Sequence, residues 1–178
     1  MAEKLNSMRL LEQHKIPYEV FEYDGSEFHD AGEVAEMLGF PPHHVYKTLV
    51  VEPDGGGKPL LALLASNRHL DLKRLAAAAG EKKVRMAAHK DAEAQTGLKV
   101  GGISPLALTQ KNWKVFIDQP ATQLQHITLS AGQRGYQIRL PVIALIGLVK
   151  ARIPGLIRNK GTKNKAEFGV DDREAEAI

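Results

Sequence analysis

Residues 45–52 read VYKTLVVE and residues 59–65 read PLLALLA, and these two stretches decide the fold. Both are rich in β-branched and aliphatic residues, which favour extended strands. The segment between them, PDGGGK at 53–58, combines proline with three glycines and is typical of a loop. We therefore predict a β-hairpin with a long connection at the centre of the protein.

Further helices and strands are predicted on both sides of this hairpin. Capping residues and helical periodicity predict helices over 5–14, from Asp30 to Gly39, over 72–79 between Asp71 and Gly80, over 91–96 before Gly97, and from Pro141 to about 150. Alternating or β-rich runs predict strands over 17–23, 84–86, 113–117, 126–130 and 136–140. The two kinds of element alternate without the regular spacing of βαβ units. We expect a mixed α/β fold, with a curled mixed sheet or a partly closed barrel and peripheral helices.

The length of 178 residues fits one domain. We assign residues 1–157 to this domain. Residues 158–178 are polar and charged, with few large apolar side chains, so we expect a disordered C-terminal tail. The net charge is +3: the last thirteen residues carry −4 and the rest of the chain carries +7. Segment 73–99 is rich in Lys and Arg, which fits either a solvated face or a surface for an anionic partner.

The composition excludes several classes of site. The chain has no cysteine, so disulfides, thiolate zinc sites and a cysteine nucleophile supplied by the protein are excluded. Its seven histidines show no metal-binding spacing, and we predict neither a metal nor a cofactor. No apolar run reaches the ~18 residues of a membrane span, and the N-terminus lacks the apolar core of a signal peptide. We expect a cytoplasmic protein.

Lys47 is the most informative single residue. In a strand it shares a face with Val45, Leu49 and Val51, because side chains alternate with a period of two. A lysine in such a row either extends to a solvent-exposed edge or lines a cavity, where it would bind an anionic or carbonyl-bearing ligand. The Gly101-Gly102 pair offers backbone amides for a carbonyl or phosphate oxygen, or simply forms a tight turn.

Four segments together carry a resemblance. VYKTLVV at 45–51, LDLKRLAAAAGEKKVRMA at 70–87, TGLKVGGISPL at 96–106 and ITLSAGQRG at 127–135 resemble the YbaK/EbsC family of aminoacyl-tRNA editing deacylases. The same order holds from about residue 9 to residue 157. The resemblance implies a compact mixed α/β fold with a sheet curled into a barrel. It also implies hydrolytic or cyclising release of a mischarged amino acid from tRNA.

The resemblance also implies a set of site residues. The lysine that the family requires in its pocket corresponds to Lys47, and the amides of Gly101 and Gly102 are expected to face the carbonyl of the substrate. Gln137 occupies a position where family members commonly have an acid; it can accept a hydrogen bond but supplies no charge. The other expected substrate-binding residues are Tyr23 and Phe28 at the mouth of the pocket, Ile103 and Ser104 in the GGISP loop, and Ser130 near the terminal ribose.

The function implied by this resemblance is release of cysteine from Cys-tRNA(Pro). The thiol of the substrate would itself attack the ester and form a cyclic thiolactone, because the protein offers no thiol. The expected partners are aminoacyl-tRNA, chiefly tRNA(Pro), and prolyl-tRNA synthetase. Two alternatives stay open, namely a deacylase that uses water on Ala-tRNA(Pro) or another mischarged tRNA, and a catalytically silent tRNA-binding module.

Overall fold

A computed structural model describes residues 4–157, which form five α-helices and seven strands. The helices are α1 (Asn6–Gln13), α2 (Ala31–Leu38), α3 (Leu72–Ala79), α4 (His89–Thr96) and α5 (Val142–Val149). The strands are β1 (Glu19–Glu22), β2 (Tyr46–Pro53), β3 (Leu60–Ala65), β4 (Val84–Met86), β5 (Val115–Ile117), β6 (His126–Ser130) and β7 (Tyr136–Pro141). Short 3-10 helices lie at Pro42–His44, Pro105–Ala107, Thr109–Lys111 and Gln119–Gln123.

Every helix and strand predicted from the sequence is present, with its ends moved by two residues at most. The 3-10 helices were not predicted. Helix α4 begins two residues earlier than expected, and Pro141 precedes α5 as its N-cap instead of lying in its first turn. The predicted C-terminal tail lies outside the described residues.

The strands form two sheets. The larger sheet has the order β4-β2-β3-β5, in which β2 pairs antiparallel with β3 and β4 while β3 pairs parallel with β5. The smaller sheet, β1-β7-β6, is antiparallel throughout. A bridge between Val45 and Thr128 joins the two sheets. The predicted mixed α/β architecture is confirmed in its partly open form, since the barrel is not closed.

The predicted hairpin is the centre of the molecule. Residues 46–51 of β2 and all of β3 are buried, which explains why residues 49–51 and all of β3 are continuous apolar runs without alternation. Helices α1, α3 and α5 pack on the outside of the core and fully bury Leu11, Leu75 and Leu145. No helix within residues 4–157 is long and apolar enough to cross a membrane.

Helix α2 begins with the residue that the sequence indicates. The Asp30 carboxylate accepts a hydrogen bond from the Glu33 amide at 2.8 Å, and the Glu33 side chain accepts one from the Asp30 amide at 3.3 Å. This capping box fixes where the helix starts. Gly39, with φ of 73°, ends the helix in the left-handed conformation that glycine adopts without strain. The start of α2 is thereby fixed beside β2.

The segment after α5 is held along the edge of the larger sheet. The Ile117 amide donates to the Arg152 carbonyl at 2.8 Å, and the Leu156 amide donates to the Asp118 carboxylate at 2.8 Å. Asp118 is buried at 2% exposure, and burial raises the pKa of its carboxyl group, although two backbone amides that donate to it oppose the shift. The chain after α5 therefore packs against the larger sheet as far as Leu156.

Candidate active site

A cleft lies where β2, the start of α2 and the β6–β7 pair meet the loop that follows α4. Its cavity volume is about 20 Å³. The cleft brings together five residues that the sequence singles out, from four different segments. These are Lys47 in β2, Gly101 and Ile103 in the loop, Ser130 at the end of β6, and Gln137 in β7.

Lys47 lies in the wall of the cleft. Its strand is an inner strand of the larger sheet and pairs with a neighbour on each side, and the residue is only 3% exposed. Of the two placements predicted for this lysine, extension to a solvent-exposed edge is therefore not what the structure shows. Lys47 also lines an adjoining hollow of about 160 Å³ together with Asp30, Ala31, Gly32 and Ser66. A lysine amine buried in this position can donate hydrogen bonds to an anionic or carbonyl oxygen.

The two loop glycines differ in what their amides can do. The Gly102 amide donates to the Lys99 carbonyl at 2.8 Å and closes a turn. The expectation that both amides face a substrate carbonyl therefore does not hold for Gly102, whose amide is already bonded. Gly101 has φ of 85° and lines the cleft, and its amide makes no hydrogen bond to any described residue. Of the pair, Gly101 is thus the available donor.

Close packing explains why this loop contains glycines. A Cβ atom at Gly102 would lie 2.9 Å from the amide nitrogen of Arg134, and one at Gly101 would lie 3.0 Å from the Phe28 ring. Arg134 also donates from Nε to the Val100 carbonyl at 2.6 Å, and its guanidinium carbon lies 5.5 Å from the Phe28 ring centroid. Arg134 lies in the last of the four segments that carry the family resemblance, but no role was predicted for it.

The two predicted aromatic residues stand behind the lining of the cleft. Phe28 covers Gly101, and the Tyr23 ring lies 6.4 Å from the ring of His29, between centroids. Both aromatic residues are half-buried. His29 lines the cleft, and its Nδ1 lies 3.3 Å from a carboxylate oxygen of Glu33. His29 was not predicted as a site residue, because a lone histidine before a helix carries no pattern of its own.

The two predicted serines have different surroundings. The Ser104 hydroxyl accepts a hydrogen bond from the Leu106 amide at 3.2 Å, and the residue is fully buried. It starts the 3-10 helix that follows and is not among the residues that line the cleft. The Ser130 hydroxyl accepts a hydrogen bond from the Gly132 amide at 3.2 Å within the turn after β6, and Ser130 also lines the cleft.

Two buried polar atoms in the cleft walls have no hydrogen-bond partner within residues 4–157. They are Oε1 of Gln137, which is 5% exposed, and Oγ1 of Thr48, which is 3% exposed. Buried polar atoms are usually paired, so such atoms are expected where a ligand completes the bonds. Thr48 was not predicted as a site residue, because the side chain of the residue after Lys47 in a strand lies on the opposite face. Gln137 pairs across the sheet with Ser130.

The remaining chemistry of the cleft is that of hydrogen-bond donors. Burial, with a further contribution from Asp118, raises the pKa of the Tyr46 phenol in its wall, so this hydroxyl stays protonated at neutral pH. Across the described part of the chain, no three His, Cys, Asp or Glu residues are grouped as a metal site would require. The cleft can therefore orient a small polar ligand and stabilise negative charge on it.

Comparison with known proteins identifies the family. The profile of the aminoacyl-tRNA editing domain matches residues 26–148. "Putative Cys-tRNA(Pro)/Cys-tRNA(Cys) deacylase EbsC" of Enterococcus faecalis is 42% identical over 151 residues, which cover 84% of this chain and 91% of that protein. A proline–tRNA ligase of Maridesulfovibrio salexigens is 27% identical over 113 residues, or 57% of this chain and 19% of the ligase.

A solved structure shows the same fold. It is titled "Crystal structure of a putative trans-editing enzyme for prolyl tRNA synthetase" and superimposes with a TM-score of 0.73 at 21% identity. The match covers 89% of this chain and all of that one. The family profile and the 42% identity together establish that this chain belongs to the aminoacyl-tRNA editing domain family, a family of deacylating enzymes.

Proposed function

We propose that this protein releases cysteine from Cys-tRNA(Pro), by attack of the cysteine thiolate on its own ester bond, and that it does so in the cytoplasm. The observation that carries the proposal is the cleft, which combines Lys47 and the free Gly101 amide with two unpaired polar atoms. The relative from Enterococcus faecalis, named for this substrate and for Cys-tRNA(Cys), supports the choice of amino acid.

In this proposal the protein supplies position and charge. The carbonyl oxygen of the ester lies near Lys47 and the Gly101 amide, which stabilise the negative charge that develops on it. Lys47 would equally hold the terminal nucleotide, because the hollow beside the first turn of α2 continues from the cleft. Ser130 contacts the terminal ribose, and Oε1 of Gln137 accepts a hydrogen bond from the amino group of the cysteine.

The nucleophile comes from the substrate. The chain contains no cysteine, so any thiol in the reaction is that of the charged amino acid. Its sulfur forms a bond to the ester carbon, the bond from that carbon to the ribose oxygen breaks, and the oxygen takes up a proton. The products are a cyclic thiolactone and free tRNA. The protein also accelerates the reaction by holding the sulfur and the carbonyl at the right angle.

A deacylase that uses water is the second candidate, and one observation favours it. His29 lines the cleft and its ring lies 3.3 Å from the Glu33 carboxylate, the arrangement in which an imidazole can accept a proton from water. Such an enzyme would act on Ala-tRNA(Pro) or another mischarged tRNA, which has no internal thiol.

One experiment distinguishes the thiolactone mechanism from the mechanism that uses water. Purified protein is mixed in parallel with Cys-tRNA(Pro), Ser-tRNA(Pro), Ala-tRNA(Pro) and Cys-tRNA(Cys), and the released products are measured by mass spectrometry. The proposal predicts fast release from Cys-tRNA(Pro), a trapped thiolactone, and slow release from the serine analogue. A hydroxyl ionises far less at neutral pH than a thiol, whose pKa is about 8.5.

Other outcomes decide against the proposal. Equal rates for cysteine and serine without a cyclic product would assign the reaction to water, because a pocket discriminates poorly between such similar side chains. No release from any substrate would mean a silent binding module.

We also propose prolyl-tRNA synthetase as the partner that delivers tRNA(Pro), since this chain matches a stretch of a proline–tRNA ligase. Adding the synthetase should then raise the rate of amino-acid release from charged tRNA(Pro) but not from Cys-tRNA(Cys).

A further inference from the structure

A second groove lies beside the segment that follows the loop of the cleft. It runs between the end of α1, the segment 105–113, strand β5 and the end of α5, and its cavity volume is about 420 Å³. We call it the β5 groove. Its floor is apolar, and its rim carries His14, Lys114, Lys150 and Arg152. No residue lines both the β5 groove and the cleft.

The charge of the β5 groove has one sign. None of the residues that line it is Asp or Glu. Lys114, Lys150 and Arg152 are exposed, and within residues 4–157 none of the three forms an ion pair with a carboxylate. Concentrated unpaired cations raise the local concentration of anions. The groove therefore suits an anionic occupant.

Trp113 adds an aromatic surface to this cationic groove. It is half-buried, and the Lys111 ammonium lies 5.4 Å from its ring centroid. Proteins that hold unpaired nucleic acid combine cations, which follow the phosphates, with aromatic rings on which bases stack. Paired RNA offers no free base faces for such stacking. The combination of one ring with several cations favours an unpaired strand over a duplex.

We propose that the β5 groove binds an unpaired strand of the RNA substrate, with a base stacked on Trp113 and phosphates beside Lys114, Lys150 and Arg152. The choice of RNA as the anion rests on the proposed function. The groove also lies near the cleft along the chain, since Ile103 lines the cleft and Pro105 lines the groove. Two residues span at most about 7 Å.

The test uses the fluorescence of Trp113, the only tryptophan of the chain. The protein is titrated with an unpaired 12-nucleotide RNA and, separately, with a duplex of the same sequence. The proposal predicts saturable quenching by the unpaired strand, weaker quenching by the duplex, and binding that weakens as salt rises. A fluorescent label on the RNA shows separately when binding is saturated. Trp113 fluorescence that does not change at saturating RNA would overturn the proposal.

Charge reversal locates the binding. The variant Lys114→Glu/Arg152→Glu should weaken binding at least about tenfold and lower the salt slope by about 2. The matched control Lys58→Glu/Arg139→Glu changes the net charge equally at exposed positions outside the groove and should bind nearly as the parent does. Equal loss in both variants would contradict the proposal. Thermal unfolding shows that each variant is folded. RNA binding by the variant Trp113→Ala, measured by anisotropy of labelled RNA, is an independent second test of the groove.

Deacylation distinguishes failure of this inference from failure of the proposed function. The groove variants should leave turnover of a minimal aminoacyl-adenosine unchanged and slow turnover of full-length tRNA. RNA binding in the groove without any deacylation would refute the proposed function alone. Deacylation without RNA-dependent quenching would refute only the inference that the β5 groove binds RNA. Binding of an acidic peptide in place of RNA would make the groove a protein-docking surface and also refute the inference.

Discussion

The Nε atom of Arg134 donates a hydrogen bond to the carbonyl oxygen of Val100, at a distance of 2.6 Å. This bond ties the turn between β6 and β7 to the residue that precedes Gly101. The backbone of Arg134 also packs directly against Gly102, and its guanidinium lies over the Phe28 ring that covers Gly101. Arg134 therefore contacts the loop and the ring that covers it in three ways. The loop carries the Gly101 amide, which we assign to the substrate carbonyl.

Arg134→Ala should lower kcat by about 10- to 100-fold, because a loosened loop misplaces the Gly101 amide by a fraction of an ångström. KM should change less, since Arg134 does not line the cleft. Arg134→Lys should recover little, because a lysine ammonium does not reproduce the planar guanidinium. Arg139→Ala is the control: Arg139 is exposed on β7, and its only ion pair, within the described chain, is 3.9 Å long. A parallel loss of kcat in both alanine variants would contradict a positioning role for Arg134.

Gly102→Ala should destabilise the fold by about 1–3 kcal/mol, because its Cβ would lie 2.9 Å from a backbone nitrogen that cannot move away freely. The measurement is urea unfolding at neutral pH. Gly55→Ala is matched to it, since a Cβ at Gly55 meets no atom within 4 Å and its φ is not positive. Equal stability of the two variants would show that the loop does not pack against the turn as described.

The elements of the fold could be predicted because their signals are local. The N-cap at Asp71 and the stop at Gly80 delimit α3 to the residue, since a side-chain oxygen and a left-handed glycine act within one turn of helix. The open barrel could not be derived in the same way. It depends on the bridge between Val45 and Thr128, residues 83 positions apart whose pairing leaves no mark in either local pattern.

The candidate site shows the same division. A lysine within the apolar strand β2 is visible in the sequence as an anomaly, and so Lys47 could be found. Thr48 and His29 could not, because each is an ordinary residue locally and becomes part of the cleft only when β2, α2 and the β6–β7 pair meet. The bonded state of the Gly102 amide likewise follows from a turn geometry that two adjacent glycines do not determine.

Asp118→Asn should change how stability depends on pH. Burial raises the pKa of the Asp118 carboxyl in the folded state, so folding favours its protonated form. That contribution is fully present below the unfolded pKa and is lost as the pH rises through the folded pKa. Asparagine has no such titration and can still accept the hydrogen bond from the Leu156 amide. Relative to wild type, the variant should therefore be more stable at pH 7 than at pH 3. Urea unfolding at both values measures this, and a difference that does not vary with pH would contradict it.

Gln137→Glu should tighten binding of the substrate. The side chain is buried in the cleft, and Oε1 has no partner within residues 4–157, so a carboxylate there would add charge to the hydrogen bond that we assign to the substrate amino group. We expect KM for Cys-tRNA(Pro) to fall several-fold with a smaller change in kcat. Gln133→Glu makes the same substitution at an exposed position in the neighbouring turn and serves as control. An unchanged KM, or an N-acetylated substrate that benefits equally, would show that Gln137 does not contact the amino group.

Single-turnover release of cysteine from Cys-tRNA(Pro) by the Lys47→Met variant tests the central claim most directly. Methionine keeps the apolar stem of the side chain within the core and removes only the ammonium, so the thermal midpoint should stay close to that of the wild type. Lys58→Met, in the exposed loop between β2 and β3, is the matched control. We predict that Lys47→Met lowers the rate of release by at least about 100-fold, the scale of loss when one group that stabilises an oxyanion is removed, while the control is unaffected. A folded Lys47→Met protein that releases cysteine at the wild-type rate would contradict the assignment of this cleft as the active site.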